Sequence, residues 1–419
     1  MRHFYSGLFY LILPWAFLRL LWRSRRNPAY RQRWAERLGY VPLRVQASIW
    51  VHAASVGETL AAIPLINALQ TLYPQSPIVV TNMTITGAAR TQAVFGASVH
   101  QLYVPYDVPG AVSRFLDRVQ PRLLIVIETE LWPNLFALTQ ARGIPIFLAN
   151  ARLSEKSAKG YARIKQLTQG LLQTITIAAV QTRIEAERFI ALGLPADRAE
   201  VTGSIKFDIS VPDEIKEKAR ALRATWPSHA RVWIAASTHA SEEEVMFVAH
   251  RELLKTYPDA LLLLAPRHPE RFAAVLALAI AQGFKVARRS LQEPVQADTQ
   301  VYLCDTMGEL VLLYAASDVA FVGGSLVDIG GHNMLEAAVL AKPLIMGPEL
   351  FNFAEISQKL LQQKAMFKIH DAVELSRILL NLFQDDAWCL EVGQNALRVV
   401  EANRGALAKH LKLIQAMLA

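Results

Sequence analysis

Short runs of apolar residues alternate with amphipathic stretches along most of this chain. Residues 49–54, 123–127 and 261–266 are such runs, and each is followed by a polar turn and then by apolar residues at helical spacing. Continuous apolar strands that alternate with helices are typical of parallel sheets covered on both faces. The pattern therefore predicts an α/β protein built from doubly wound sheets.

The same plan occurs twice. Residues 48–74 and 231–258 each run from an apolar strand with Trp at its third position, through Ala-Ala-Ser and a short loop with an acid, into an amphipathic helix. We therefore expect two Rossmann-like domains, 45–210 and 211–419, with the boundary in the polar stretch 208–228. From about residue 371 the pattern is helical throughout.

The N-terminus differs from the rest of the chain. Residues 4–22 are apolar and rich in aromatic rings, and Arg19 is the one charged residue among them. A helix needs about 20 apolar residues to cross a bilayer. Residues 1–44 are therefore predicted to anchor the protein, with the helix either spanning the membrane or lying in its surface. A signal peptide or a buried helix are the alternatives, but the basic cluster follows the apolar run and no A-x-A cleavage site is present.

Charge is concentrated in the same segment. Residues 1–44 contain nine arginines and one acid, Glu36, so they account for the whole net charge of +8. The body that follows is balanced, which argues against a nucleic-acid partner. Basic residues after the apolar run predict that the body lies on the cytoplasmic side of the membrane. Two cysteines, Cys304 and Cys389, provide no disulfide framework and fit a reducing compartment.

Ligands of open α/β sheets bind outside the carboxyl ends of the strands. In the first half, one strand ends in Ser55-Val56-Gly57, and Glu58 follows at the start of a helix. This carboxylate is either a helix cap or the group that performs the chemistry. The next strand leads to Thr84 and Thr86, which either cap a helix or mark an anion site.

Two further strands of this half end in charged residues. Glu128 and Glu130 flank Thr129 after one apolar run, and Arg152 follows another. The two glutamates either form a solvated acidic loop or include a functional residue, Glu130. Arg152 either binds a phosphate or pairs with a nearby acid.

In the second half, Arg267 and His268 follow a strand, and Met307, Gly308 and Glu309 open a helix. A glycine-bearing loop then leads to Asn333 and Glu336 at another helix start. Glycines allow close backbone approach and a helix N-terminus suits phosphate, which indicates a nucleotide site. A capping box between Asn333 and Glu336 is the alternative. No Walker A, GxSxG, HExxH, CxxC or GxGxxG pattern is present, and no cluster has metal-ligand spacing.

Nine motifs spread over the chain carry a resemblance. They are ASVGE, TNMTITGA, ETELWPN, NARLSEKS, GSIKFD, APRHPER, TMGEL, GGSLVDIGGHNMLEAA and the apolar N-terminus. Together they resemble the bacterial transferases of 3-deoxy-D-manno-oct-2-ulosonic acid (Kdo), and ASVGE, ELWPN and GGHNMLE are specific to that family rather than to its fold.

The resemblance implies a GT-B fold, in which two Rossmann-like domains face a cleft, with an N-terminal membrane-anchoring helix. It also implies transfer of Kdo from CMP-Kdo to the tetraacyl disaccharide bisphosphate precursor of lipid A, with inversion, at the cytoplasmic side of the bacterial inner membrane. Neither a metal nor a cofactor is implied. The number of Kdo units added, the mode of anchoring and the oligomeric state stay open.

The resemblance also assigns roles to residues. Glu58 becomes the general base, and Glu130 and Lys206 stabilise the transition state. Ser55, Gly57, Thr86 and Arg152 are expected on the acceptor side. The CMP contacts map to Arg267, His268, Met307, Gly308, Glu309, Asn333, Met334, Leu335 and Glu336.

Two other functions remain compatible with the fold. One is a membrane-associated GT-B glycosyltransferase that uses a UDP-sugar, and the other is a nucleotide-sugar epimerase. Competition between CMP and UDP separates the first from Kdo transfer, and independence from residues 1–44 would favour the second.

Overall fold

A computed structural model describes residues 1–25 and 27–418 of the chain. It divides into two compact units: unit 1 comprises Met1–Asp208 with Arg404–Ala419, and unit 2 comprises Ile209–Asn403. Each unit contains one parallel sheet, and the two are described separately below.

Unit 1 is built on seven parallel strands within the described residues, in the spatial order β3-β2-β1-β4-β5-β6-β7. The strands are β1 (Ser48–His52), β2 (Ile78–Asn82), β3 (His100–Tyr103), β4 (Pro121–Ile127), β5 (Ile146–Ala151), β6 (Ile177–Val180) and β7 (Ala199–Val201). The chain order reverses at β1, which lies between β2 and β4, as in a doubly wound sheet.

Helices cover both faces of this sheet. Trp50 and Leu124 belong to one buried cluster, whereas their neighbours Val51 and Ile125 belong to another, because successive side chains of a strand point to opposite faces. The helices are α1 (Arg2–Arg23), α2 (Trp34–Arg37), α3 (Val56–Leu72), α4 (Ile85–Phe95), α5 (Pro109–Val119), α6 (Pro133–Gln140), α7 (Glu155–Ala162), α8 (Lys165–Leu172) and α9 (Arg183–Ala191), with 3-10 turns at Pro28–Arg31, Gly96–Ser98, Ala196–Arg198 and Ile205–Phe207.

Unit 2 repeats the architecture. Its parallel strands follow the order β10-β11-β9-β8-β12-β13-β14. They are β8 (Val232–Thr238), β9 (Leu261–Pro266), β10 (Val286–Arg288), β11 (Val301–Leu303), β12 (Val319–Val322), β13 (Leu344–Met346) and β14 (Met366–Lys368). The helices are α10 (Asp213–Ala224), α11 (Glu242–Leu254), α12 (Phe272–Ala281), α13 (Leu310–Ala316), α14 (Leu335–Ala338), α15 (Ala354–Gln362), α16 (Ala372–Gln384) and α17 (Asp386–Ala402), with 3-10 turns at Pro269–Arg271 and Phe351–Phe353.

The last helix, α18 (Ala406–Leu418), returns to unit 1. Ile414 is fully buried in the same cluster as Ile49 and Val51. All of residues 211–419 were predicted to form the second domain, whereas residues 404–419 belong to unit 1 in the structure. The helical pattern after residue 371 gives no sign of which sheet each helix covers, because α16, α17 and α18 all have one apolar face.

The prediction of two parallel, doubly wound α/β sheets is confirmed, and the two matching segments form β1 with α3 and β8 with α11. Three strands were not anticipated: β3, β7 and β14. Each has only three or four residues and at least one exposed position, so none reads as an apolar run.

Candidate active site

The site candidates of unit 1 converge on one edge of its sheet. Glu58, Thr86, Glu130 and Arg152 follow the carboxyl ends of β1, β2, β4 and β5. These four strands are neighbours in the order β2-β1-β4-β5, so their polar ends meet at one edge. Lys206 joins the same edge from the 3-10 turn Ile205–Phe207, where the side-chain oxygen of Asn150 accepts the backbone N–H of Ile205.

Glu58 occupies the first turn of α3 and forms a capping box with Ser55. The Ser55 hydroxyl donates to Glu58 Oε1 at 2.8 Å and accepts the backbone N–H of Glu58 at 3.3 Å. The backbone N–H of Ala54 donates to Glu58 Oε2 at 2.7 Å. The capping geometry considered as the alternative is therefore present, and it also fixes the orientation of the carboxylate.

The surroundings of Glu58 nevertheless disfavour its charge. Burial is the largest effect and the negative charge of Glu130 is the next, and together they outweigh the two hydrogen bonds and raise the pKa of Glu58 to about 7. A purely structural cap needs no such shift. A carboxylate with a pKa near the working pH is suited to general base catalysis.

Glu130 lies beside a buried aromatic and histidine cluster. Its carboxylate accepts the indole N–H of Trp132 at 2.8 Å, and that indole packs edge-on against His52. His52 Nδ1 lies 2.9 Å from the Thr81 hydroxyl, which accepts the indole N–H of Trp50. His52 Nε2 has no hydrogen-bond partner among the described residues, and burial lowers the pKa of the ring.

Lys206 is paired with Glu128, the acid that the sequence analysis left out of the site. Its ammonium lies 2.7 Å from Glu128 Oε1, and Arg152 lies 3.1 Å from Oε2 of the same carboxylate. Glu128 therefore bridges two of the predicted site residues. Its backbone has φ +60°, a left-handed conformation that a non-glycine residue rarely adopts. The separation of Glu128, Arg152 and Lys206 along the chain concealed this cluster, although all three follow strands of one sheet edge.

Two predicted acceptor-side residues are open to solvent. Gly57 is exposed, and a methyl group added to it would meet no atom closer than the Ser55 hydroxyl at 3.9 Å. Thr86 is exposed in the first turn of α4, which Thr84 caps by accepting the N–H of Gly87. Thr84 is therefore the helix cap, and Thr86 takes no part in that cap.

The site candidates of unit 2 also share one sheet edge. They follow the carboxyl ends of β11, β9 and β12, and β8 lies between β9 and β12 in the sheet. The glycine loop after β12 is tied to α11 by Glu242, a fully buried carboxylate that accepts the backbone N–H groups of Gly324, Ser325 and Leu326. Gly323 admits no side chain, because a Cβ there would lie 2.6 Å from the carbonyl oxygen of Ser237.

Three histidines meet beside this loop. His239 Nε2 lies 2.8 Å from His332 Nε2, and the His239 ring is edge-on to that of His268. Burial lowers the pKa of His239, and burial with the nearby Arg267 lowers the pKa of His332 to about 4, so this pair is neutral at physiological pH. His268 and His332 are distant in the sequence, and His239 brings them together in the fold.

The glycine loop ends in a local cap. Asn333 accepts the N–H of Leu335 and donates to Glu336 at 3.1 Å, which is the capping variant considered from the sequence. Met334 and Leu335 are fully buried, so their side chains are not accessible to a ligand. Because α14 has a single turn, its dipole is a minor source of positive charge.

The remaining residues predicted to bind the nucleotide include one cation, Arg267, that has no side-chain partner among the described residues. Glu309 is held by Arg289 at 2.8 Å and by the Thr306 hydroxyl, whereas Met307 and Gly308 are exposed, and Gly308 has φ +85°. The Arg267 side chain forms no hydrogen bond or ion pair with any residue that the structure describes. It is therefore available to a phosphate. Within residues 1–25 and 27–418, no group of three His, Cys, Asp or Glu side chains is arranged to hold a metal.

Comparison with known sequences links the chain to one family. A family model described as 3-deoxy-D-manno-octulosonic-acid transferase (kdotransferase) matches residues 32–209. The 3-deoxy-D-manno-octulosonic acid transferase of Haemophilus influenzae is 43% identical over 423 residues, covering 100% of this chain and 99% of its own length. That of Bordetella pertussis is 35% identical over 385 residues, covering 89% and 88%.

Solved structures with low sequence identity share the fold. The UDP-GlcNAc 2-epimerase of Neisseria meningitidis has a TM-score of 0.58 at 15% identity, covering 88% of this chain and 99% of its own. A glycosyltransferase of Rickettsia africae has a TM-score of 0.55 at 14% identity, covering 89% and 99%. These likenesses concern the fold alone, and the predicted GT-B fold class is confirmed.

Proposed function

The chain belongs to the family of 3-deoxy-D-manno-octulosonic acid (Kdo) transferases, and on that premise we propose that it transfers Kdo from CMP-Kdo to the tetraacyl disaccharide bisphosphate precursor of lipid A. The transfer inverts the anomeric centre and serves lipopolysaccharide biosynthesis at the cytoplasmic side of the bacterial inner membrane. The observation that carries this proposal on the structural side is the carboxylate of Glu58, whose pKa of about 7 makes it a base at neutral pH.

Glu58 takes the proton of the acceptor hydroxyl. The hydroxyl oxygen forms a bond to the anomeric carbon of Kdo, while the bond between that carbon and the phosphate oxygen of CMP breaks. CMP leaves with the electron pair of the broken bond, and the proton stays on Glu58 until it passes to solvent. Attack opposite the leaving group gives inversion. One positioned base is sufficient for this chemistry.

The other charged residues of unit 1 support the transition state. The negative charge of Glu130 raises the pKa of Glu58 and so increases the affinity of the base for the proton. Lys206 and Arg152 are cations held in place by Glu128. We assign transition-state stabilisation to Glu130 and Lys206, and we add Glu128 as the residue that positions Lys206. Ser55, Gly57, Thr86 and Arg152 form the proposed acceptor side.

Unit 2 binds the nucleotide in this proposal. Arg267, which has no side-chain partner among the described residues, pairs with the phosphate of CMP, and His268 lies next to it. Asn333 and Glu336 offer polar side chains to the ribose hydroxyls, while Met334 and Leu335 contribute backbone groups only. Met307, Gly308 and Glu309 complete the set on the neighbouring strand end.

The test is transfer by the purified full-length protein, with CMP-Kdo and the tetraacyl precursor as substrates and mass spectrometry of the lipid as the readout. We expect a mass gain of one or more Kdo units, and the spectrum also counts the units. Glu58→Gln should reduce transfer by about 100-fold or more, because general base catalysis contributes that much. Glu187→Gln, at an exposed acid of α9 that pairs with Arg183, is the matched control and should transfer normally.

Four results would contradict the proposal, the last of them only the role of Glu58. Recovery of unmodified lipid together with intact CMP-Kdo would reject the substrates. Thermal protection by UDP rather than by CMP would indicate a glycosyltransferase that uses a UDP-sugar. Isomerisation of a soluble nucleotide sugar by protein lacking residues 1–44 would indicate an epimerase. An unchanged rate in Glu58→Gln, with transfer otherwise intact, would reject Glu58 as the base and leave it a helix cap.

A further inference from the structure

The N-terminal helix α1 presents two different faces along its whole length. Ser6 is buried and the side chains at positions 5, 9, 13, 16, 17 and 20 are half-buried. These positions form one shielded face, since they recur at the three- and four-residue spacing of a helix. The opposite stripe is exposed and apolar, and it consists of Phe4, Leu8, Leu11, Trp15, Leu18 and Trp22. The helix therefore lies lengthwise against unit 1 rather than projecting from it.

Polar contacts hold the N-terminal half of α1 to unit 1. Ser6 is buried and donates its hydroxyl proton to the side-chain oxygen of Asn134 at 2.9 Å. The Tyr10 hydroxyl accepts the backbone N–H of Gly110 at 3.1 Å. Tyr5 hydrogen-bonds to the buried carboxylate of Asp107, which also accepts the backbone N–H of Asn134.

Aromatic packing holds the C-terminal half of α1. The Phe17 ring packs against Trp34 with centroids 5.2 Å apart, and edge-on against Tyr106 at 5.5 Å. From Tyr5 to Phe17 the helix advances by about 18 Å at 1.5 Å per residue. Contacts with unit 1 therefore extend over more than half of the thickness of a hydrocarbon core, which is about 30 Å.

This docking is incompatible with a helix that crosses the bilayer. A spanning α1 would carry Asp107, Asn134 and the backbone of Gly110 into the hydrocarbon with it. Asp107 and Asn134 are buried, but the polar surface of unit 1 beside these contacts would lose its water there, which is strongly unfavourable. If α1 lies parallel to the surface, the same groups remain on the protein side of the helix, and only the apolar stripe enters the lipid.

Charge identifies the surface that α1 faces. Arg19, Arg23, Arg25 and Arg31 are exposed around its C-terminal end. The Arg19 guanidinium lies 5.8 Å from the Trp15 ring, so cations border the apolar stripe as in interfacial helices. Basic side chains beside an apolar helix face favour anionic lipid headgroups.

We propose that α1 lies in the plane of an anionic membrane surface, with the stripe from Phe4 to Trp22 among the acyl chains and the shielded face against unit 1. The protein is then held by one leaflet and does not cross the bilayer. The inference rests on the membrane association stated under the proposed function, but it does not depend on which sugar is transferred.

Membrane depth along α1 tests this inference. Nitroxide labels are attached to full-length Phe4→Cys, Leu11→Cys and Leu18→Cys proteins in a Cys389→Ala background, in which the remaining Cys304 is buried. The proteins are bound to vesicles of phosphatidylethanolamine and phosphatidylglycerol. The label's accessibility to oxygen is then compared with its accessibility to a water-soluble nickel chelate. An in-plane helix places all three labels at one shallow depth.

A spanning helix gives a different profile, with Leu11 deepest and Phe4 and Leu18 near opposite surfaces, and that result would overturn the inference. A label at Val201 provides the aqueous reference. Val201 is exposed on β7, the edge strand opposite β3 in the unit 1 sheet. Failure to bind the vesicles would reject membrane association as well. Kdo transfer measured in the same vesicles tests the catalytic proposal separately, and melting curves of the labelled proteins show that each is folded.

Discussion

Glu58 and Glu242 show how one position of a repeated plan serves two purposes. Each lies in the first turn of the helix after the first strand of its sheet and accepts a backbone N–H from the preceding loop. Glu242 accepts three further N–H groups and is fully buried, so it organises the glycine loop. Glu58 has fewer donors and an acidic neighbour in Glu130. Its surroundings therefore favour proton uptake, which a base requires.

The pH dependence of transfer should report this environment. Because Glu58 must be deprotonated to act, we expect kcat/KM to rise with pH and to reach half of its plateau near pH 7. Glu130→Gln removes a negative charge that raises the pKa of Glu58, so the midpoint should move to lower pH. The measurement is the pH profile of kcat/KM for both proteins.

The midpoint, rather than the height of the profile, is the informative quantity, because Glu130 also has a proposed role in the transition state. Glu187→Gln removes a distant exposed acid and should leave the midpoint where it is. If Glu130→Gln lowers the plateau of kcat/KM but leaves the midpoint unchanged, Glu130 does not raise the pKa of Glu58.

Gly57 is expected to matter for the acceptor rather than for the fold. Alanine fits at this position in the free protein and is the better helix former, so Gly57→Ala should keep or slightly raise the melting temperature. The added methyl group would occupy the open space next to Glu58. We expect kcat/KM for the lipid acceptor to fall about tenfold or more, since small misplacements at a reacting centre are costly.

Gly160 provides the comparison for this substitution. It lies inside α7, and a methyl group added to it likewise meets no atom within 4 Å. Gly160→Ala should therefore match Gly57→Ala in stability while retaining full transfer. Equal activity of the two variants would show that the acceptor does not approach the backbone at Gly57.

At the scale of elements, α18 completes unit 1. The carboxylate of Asp208 accepts the backbone N–H groups of Gly405 and Leu407 at 2.6 and 2.7 Å, which caps the start of the helix. His410 Nε2 accepts the backbone N–H of Asn150 at 2.9 Å. Through these bonds the C-terminal helix supports β5 and, next to it in sequence, Arg152.

Asp208→Ala should loosen α18 without unfolding the protein. Loss of a helix cap is unfavourable by about 1–2 kcal/mol, so we expect faster hydrogen–deuterium exchange at the amides of α18. Exchange followed by mass spectrometry gives a local answer, which is preferable to a global melting temperature for a chain of two units.

The control removes an equivalent cap from unit 2. Asp371 caps α16 by accepting the N–H of Glu374 at 2.9 Å. Asp371→Ala should accelerate exchange in α16 and leave α18 protected. If Asp208→Ala changed exchange in neither helix, the bonds to Gly405 and Leu407 would contribute nothing to holding α18.

At the scale of the whole molecule, the sequence predicted what depends on local pattern. Largely apolar strands such as β1, β4 and β9 were found because strands buried on both faces have no polar alternation. The short strands β3, β7 and β14 were missed, since few residues and exposed positions leave no pattern to detect. The return of α18 to unit 1 depends on long-range packing, which periodicity does not encode.

The candidate site divides in the same way. The rule that ligands bind at strand carboxyl ends located Glu58, Glu130, Arg152 and Arg267 from the sequence. Pairings between distant positions were not accessible: Glu128 with Lys206, and His239 with His332, depend on which strands are neighbours. The burial of Glu58 could not be predicted from the sequence either, so its raised pKa follows only from the structure.

The packing of α18 on unit 1 also determines the order in which the two units are completed during synthesis. Unit 2 is contained in one continuous stretch, Ile209–Asn403, whereas unit 1 needs residues from both ends of the chain. Because residues 209–403 are synthesised between the two parts of unit 1, the sheet that carries Glu58 lacks the covering helix α18 until unit 2 has been made. The unit that begins first is thus finished after the unit that begins second.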